Sequence, residues 1–163
     1  MKTLLLMRHA KSVHPDGMED HERPLNDRGL RDAPRMGALL KEQGILPDVI
    51  LSSSAVRALT TAQLTAEACG FEGRIEVLRD LYLPNPADVI EIMKQQPDGA
   101  ACVMIVSHNP GSEALVNYFT GALEAMPTAA IAHIEFDIDA WSDWTPSSPA
   151  KLRHLWKPRE VES

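Results

Sequence analysis

The 163-residue chain lacks the features that would place it in a membrane, on nucleic acid or in an oxidising compartment. Its opening apolar run stops at Arg8 after five residues, short of the roughly 7 to 15 that a secretory h-region needs. No later stretch approaches the roughly 18 apolar residues of a spanning helix. A cytoplasmic start is therefore expected. Bases are the minority, 16 Lys and Arg against 23 Asp and Glu, for a net charge of −7. That balance excludes broad attachment to nucleic acid or to an anionic membrane, so any bound anion must be held by a local cluster. Cysteine is scarce: Cys69 and Cys102 lack the paired spacing of a zinc site or redox motif, and read as free thiols in a reducing compartment. No glycine-rich loop follows the first apolar run, which disfavours a nucleotide-binding module. With neither repeats nor a low-complexity linker, residues 1–163 are expected to form a single domain.

What is present is a change of hydrophobic period along the chain. LLLM before Arg8, VILS at 49–52, IEVL at 75–78 and CVMIV at 102–106 are short apolar runs suited to strands covered on both faces. Helical spacing separates them. Leu30, Ala33, Met36, Leu39 and Leu40 recur at that spacing from Asp27 to Gln43, with Asn26 as N-cap and Gly44 as the stop. A second helix is predicted after a Ser54 cap, carrying Val56, Leu59, Ala62, Ala66 and Cys69 to Gly70. Shorter helices are expected from Pro86 to Gln95 and from Ser112 to Phe119. Ala132, Ile134, Phe136 and Ile138 then alternate with polar residues, a half-exposed strand that KLRHLW at 151–156 can pair across the turn-rich segment containing Trp141 and Trp144. The pattern is that of an α/β domain.

In open α/β sheets, ligands collect at the carboxyl ends of the parallel strands. Arg8 and His9 end the first strand, His108 ends the CVMIVS strand, and Arg57 lies about one turn into the helix after VILS. Three strand ends thus offer guanidinium or imidazole to one edge. Guanidinium forks suit a phosphoryl group, and nearby positive charge keeps His9 neutral with one ring nitrogen free to attack phosphorus. A cation so early in a helix opposes the helix dipole, which hints at a partner anion for Arg57. His14, His21, His133 and His154 show no paired ligand spacing, and arginines beside His9 and His108 repel a cation, so no metal is expected. Lys11 and Ser12 flank the site, as substrate contacts or as loop caps.

The segments RHAKS, DHERPLNDRG, SSSAVRALTTA and VSHNP, in that order, resemble the histidine phosphatase superfamily, which is phosphoglycerate mutase-like in fold. The Ala-Lys after Arg-His and the RPL segment resemble its small SixA-type phosphohistidine phosphatase branch. The resemblance implies a three-layer α/β/α sandwich on a mixed six-stranded sheet, with the three motif-bearing strands as neighbours. It also implies that His9 is the nucleophile and that Arg8, Arg57 and His108 complete the phosphate pocket. Two departures bear on chemistry. The usual Arg-His-Gly-Glu is Arg-His-Ala-Lys here, and the long insertions that sugar-phosphate mutases place over the pocket are missing. Their proton-donating carboxylic acid has only Asp80 as a candidate, which a solvated strand-end carboxylate explains equally well.

The function expected from these residues is a phosphatase without cofactor or metal, working through a covalent phosphohistidine on His9. Phosphohistidine on a protein is the favoured substrate, because imidazole leaves with less help from an acid than an alkoxide does. The alternatives are a phosphatase of small phosphorylated metabolites and a non-catalytic phospho-ligand binding module.

Overall fold

The computed structural model describes residues 1–161. Its core strand, β1 (Lys2–Arg8), shows how composition becomes architecture. Alternate side chains of a strand point to opposite faces, and here Leu4 and Leu6 enter one apolar cluster while Leu5 and Met7 enter the other. Both faces of the strand must therefore be covered. On the Leu5 side lie α1 (Asp27–Glu42) and α2 (Val56–Cys69); on the Leu4 side lie α3 (Pro86–Lys94) and α4 (Gly111–Thr120). The result is the three-layer α/β/α sandwich.

The remaining strands are β2 (Val49–Ser53), β3 (Glu76–Leu78), β4 (Cys102–Ser107), β5 (Ile131–Phe136) and β6 (Ala150–Trp156). All join one six-stranded sheet in the order β3-β2-β4-β1-β5-β6. The pairings among β1 to β4 are parallel, whereas β5 runs antiparallel to both β1 and β6. The sheet is thus mixed, and β2, β4 and β1 are neighbours as expected.

Several local expectations are corrected. Leu30 is 48% exposed, because the buried stripe of α1 runs through Gly29, Ala33, Met36, Gly37 and Leu40 instead. Ser54 does not cap α2. Its N-cap is Ala55, whose N–H is accepted by Ser53 Oγ, so Arg57 is the second helical residue and not a turn further in. The IEVL run yields only a three-residue strand at the sheet edge, with Val77 exposed, since β3 has a neighbour on one side alone. Trp141, fully buried, packs in the α3/α4 cluster and donates its indole N–H to the Ala100 carbonyl at 2.7 Å.

Small residues let α1 and α2 approach closely. A Cβ at Gly37 would lie 2.4 Å from the Thr65 carbonyl oxygen and 2.7 Å from Ala68 Cβ, distances at which the helices must separate. Gly37→Ala is expected to destabilise the fold by roughly 1 to 3 kcal/mol, the range for overpacking, as a lowered midpoint in urea unfolding. An unchanged midpoint would show that the helix pair yields without cost.

Candidate functional site

The parallel register sets the site. Arg8 pairs with Ser107 across β1 and β4, so His9 and His108 both follow directly on neighbouring strand ends. The His9 N–H donates to the Ser107 carbonyl at 3.0 Å, extending the ladder by one rung. Their rings stand 5.1 Å apart between centroids. From the next strand, Ser53 places its Oγ 2.8 Å from His108 Nε2. Buried Thr61 ties the third element in: its Oγ accepts the Ala10 N–H at 2.9 Å and donates to the Arg57 carbonyl at 2.7 Å. The four residues singled out by sequence thus surround one recess of about 190 Å³.

Each is held differently. Arg8 shares the parity of Leu4 and Leu6, which turns it toward the α4 side of the sheet, and its Nη1 donates to the Met126 carbonyl at 2.9 Å. His9 is 8% exposed, and its Nδ1 lies 2.7 Å from the Ala10 carbonyl oxygen. A carbonyl can only accept, so Nδ1 carries the proton and Nε2 keeps the free lone pair. Arg57, 3% exposed, meets the anion that its position in the first turn of α2 called for. That anion is Asp20, on the short turn Asp20–Glu22: Nη1 donates to its backbone carbonyl at 2.7 Å and Nη2 to Oδ2 at 3.0 Å.

Asp20 also gathers residues that the sequence reading had not singled out. Tyr82 donates its hydroxyl to Oδ2 at 2.6 Å, and Arg23 donates from Nε to Oδ1 at 3.0 Å. The carboxyl is held well below its ordinary range, first by the Tyr82 hydroxyl and then by Arg57 and Arg23. Arg23 is fixed further by Ser12 Oγ and the Val13 carbonyl, both at 2.9 Å, and lines the recess. One signal pointed to it: Arg23 lies in the DHERPLNDRG segment, four residues before α1. Lys11 and Ser12 line the recess as well; His14 joins them at its rim. Asp80 does not, being exposed on the turn Arg79–Leu81.

The electrostatics follow from that inventory. Arg8, Lys11, Arg23 and Arg57 line the recess, and among the described residues no carboxylate does. A chain of net charge −7 has concentrated positive charge at one point. Burial pushes His9 down from 6.5 to about 4, with Arg57, Arg8 and Arg23 adding to the effect against the Ala10 hydrogen bond. Burial also takes His108 down to about 3, helped by His9 and Arg57. Both rings are neutral at physiological pH. Arg8 Nε, Arg57 Nε and His108 Nδ1 are buried without a hydrogen-bond partner among the described residues, a deficit that native structures rarely leave standing. Among the described residues, no three His, Cys, Asp or Glu side chains come together as a metal ion would require. The arrangement suits a small oxyanion beside an uncharged nucleophile.

Known proteins resemble the chain in sequence and in fold. The family model for the histidine phosphatase superfamily (branch 1) matches residues 4–82. An uncharacterised protein of Mycobacterium tuberculosis (strain H37Rv) is 38% identical over 109 residues, 67% of this chain and 66% of the relative. The chain therefore spans just under two thirds of that protein's length. A 2,3-bisphosphoglycerate-dependent phosphoglycerate mutase of Nocardia farcinica is 36% identical over 87 residues, 50% of this chain and 34% of the enzyme. Among solved structures, the protein histidine phosphatase SixA complexed with tungstate superposes with a TM-score of 0.84 at 23% identity, covering 97% of this chain and 98% of that one.

Asp20 anchors two of the arginines at once, which makes its removal informative. Asp20→Ala is expected to weaken orthophosphate binding about tenfold, the scale of one lost charge-assisted hydrogen bond, in isothermal titration calorimetry. Unchanged or tighter binding would mean that α2 alone orients Arg57.

Proposed function

The chain belongs to the histidine phosphatase superfamily, and on that footing we propose that it is a phosphatase acting through a covalent phosphohistidine on His9, with protein-borne phosphohistidine as its substrate. One observation carries the reading. A neutral imidazole with its tautomer fixed by the Ala10 carbonyl lies in a recess lined, among the described residues, by four cationic side chains and no carboxylate.

In this mechanism the phosphoryl group enters among Arg8, Arg57 and Arg23, whose donors match its oxygens and offset the charge spread over them during transfer. His9 Nε2 forms a bond to phosphorus as the bond from phosphorus to the departing imidazole breaks. The departing nitrogen takes its proton from solvent. His9 keeps its Nδ1 proton on the Ala10 carbonyl throughout, so the phosphorylated ring is cationic and primed to leave. Water then attacks phosphorus from the opposite side, orthophosphate is released, and neutral His9 is regenerated. His108, also neutral, offers a hydrogen bond to a phosphoryl oxygen without adding a charge that would tie up the product.

The substrate class follows from the leaving group and the rim. With no carboxylic acid at the recess among the described residues, an alkoxide would leave unprotonated, whereas an imidazole departs readily. Leu83 lines the recess yet is 64% exposed, and Lys11 and His14 are exposed beside it. An apolar side chain standing free among cations is suited to a protein surface more than to a small metabolite.

His9→Ala is expected to lower turnover of a histidine-phosphorylated carrier protein by roughly 10³-fold or more. Rapid quench of the wild-type protein should trap phosphate on His9, and a chelator should leave the rate unchanged. Retained turnover in His9→Ala would exclude the covalent route, and hydrolysis of sugar phosphates in preference to the carrier would reassign the substrate.

The pH profile offers an independent check. Protonation removes the Nε2 lone pair, so activity is present above the folded value of His9 and is lost below it. The acid limb of kcat/KM should therefore fall near pH 4, after subtraction of spontaneous hydrolysis. A limb near the ordinary histidine value would show that His9 is not shielded as described.

A further inference from the structure

A second concentration of positive charge lies outside the recess. On α1, Arg28, Arg31 and Arg35 share one face at helical spacing, and Arg159 faces them from the turn Pro158–Glu160. Together they line a shallow depression in which Asp32 is the single acid among the described residues. Asp32 is 5% exposed and braces the ridge from below, meeting Arg28 at 3.3 Å and Arg35 at 3.6 Å. Arg31 and Arg159 are exposed and make no ion pair among the described residues. Among the described residues, four guanidiniums face one carboxylate there, on a chain whose net charge is −7.

The ridge is also joined to the site. The Asn26 N–H donates to the Lys11 carbonyl at 3.0 Å, and a Cβ at Gly29 would lie 2.2 Å from that same oxygen. The first turn of α1 is thus seated on the backbone of a residue whose side chain lines the recess. From there the arginines run for about 10 Å along the helix, at 1.5 Å per residue. We propose that this ridge is the docking surface for an acidic face of the phosphorylated carrier protein, engaged beside the recess while the phosphohistidine enters it. The inference rests on the preceding reading of a protein substrate. Spaced, exposed guanidiniums match carboxylates spread along a protein surface, and an acidic enzyme approaching an acidic partner needs a local patch of opposite sign to avoid repulsion. Such rim charges act on encounter rate and vanish with added salt.

The test compares wild type with Arg31→Glu/Arg159→Glu on two substrates, a histidine-phosphorylated carrier domain of acidic pI and free phosphohistidine. At low ionic strength, kcat/KM on the carrier should fall about tenfold or more, within the range of electrostatic steering. On free phosphohistidine it should not change. Raising the salt should bring the two proteins together on the carrier. Equal losses on both substrates, or no loss on the carrier, would overturn the proposal while leaving the catalytic reading in place. A wild type that hydrolyses free phosphohistidine but not the carrier would sink the protein-substrate reading and the ridge with it. If the variant instead loses binding to phosphatidylserine vesicles with carrier kinetics intact, the ridge serves a membrane and the proposal fails. Arg31→Gln/Arg159→Gln, checked for an unaltered melting midpoint, should show a smaller effect in the same direction.

Discussion

The site depends on the parallel pairing of β4 with its two neighbours. Arg8 opposite Ser107 and Ser52 opposite Val106 bring three strand ends level, so that residues far apart in sequence share one edge. A slip of one residue would exchange the two faces of a strand. Such a slip in β1 would send Leu4 and Leu6 toward the helices that Leu5 and Met7 now meet, and Arg8 away from Met126. The register is therefore enforced by the burial of four large side chains, each worth about 1.5 to 3 kcal/mol. Catalytic geometry is inherited from core packing.

That geometry carries an electrostatic cost, and the answer to it is unequal by design. Arg8 and Arg57 are drawn toward the interior with few partners, while the histidines between them are kept uncharged by burial and by those same cations. One carboxylate, Asp20, is shared by Arg57, Arg23 and the Tyr82 hydroxyl. It stands behind the guanidiniums and outside the recess lining, which leaves the hollow positive while keeping its walls from flying apart. His21 reinforces the same turn, its Nε2 2.9 Å from Ser54 Oγ and its ring edge-on to Tyr82 at 4.8 Å. Ser54 thus serves this turn and not the helix it precedes.

Much of this was legible in the linear chain, for identifiable reasons. Strand ends could be located because runs such as CVMIVS stop abruptly at a polar residue, and an α/β sheet gives those stops a common edge. Arg57 advertised a missing anion by sitting where the helix dipole repels it. What stayed hidden depended on loops. Asp20, Arg23 and Tyr82 meet through segments with no period, and nothing local distinguishes Asp20 from Asp16 or Glu19. Leu30 fitted the helical spacing but faces outward, since the chain has more apolar residues at that spacing than the helix has buried face. Asp80, the one carboxylate offered as a proton donor, is turned to solvent by the short turn that follows β3.

The absence of an acid at the recess among the described residues and the arginine ridge on α1 point the same way. An enzyme that must protonate a poor leaving group needs a precisely placed carboxylic acid, and a lid to keep water from competing with it. A phosphohistidine relieves the first demand, because its imidazole is a far weaker base than an alkoxide and departs without a positioned acid, taking a solvent proton. In the proposed complex it relieves the second, because a docked carrier protein would cover the opening. Specificity then need not be built into the hollow, whose proposed role is to hold a phosphoryl group. On the proposed reading it is carried by surface charge outside it, where Arg31 and Arg159 stand clear of the reacting atoms and select which phosphorylated surfaces come close enough to react.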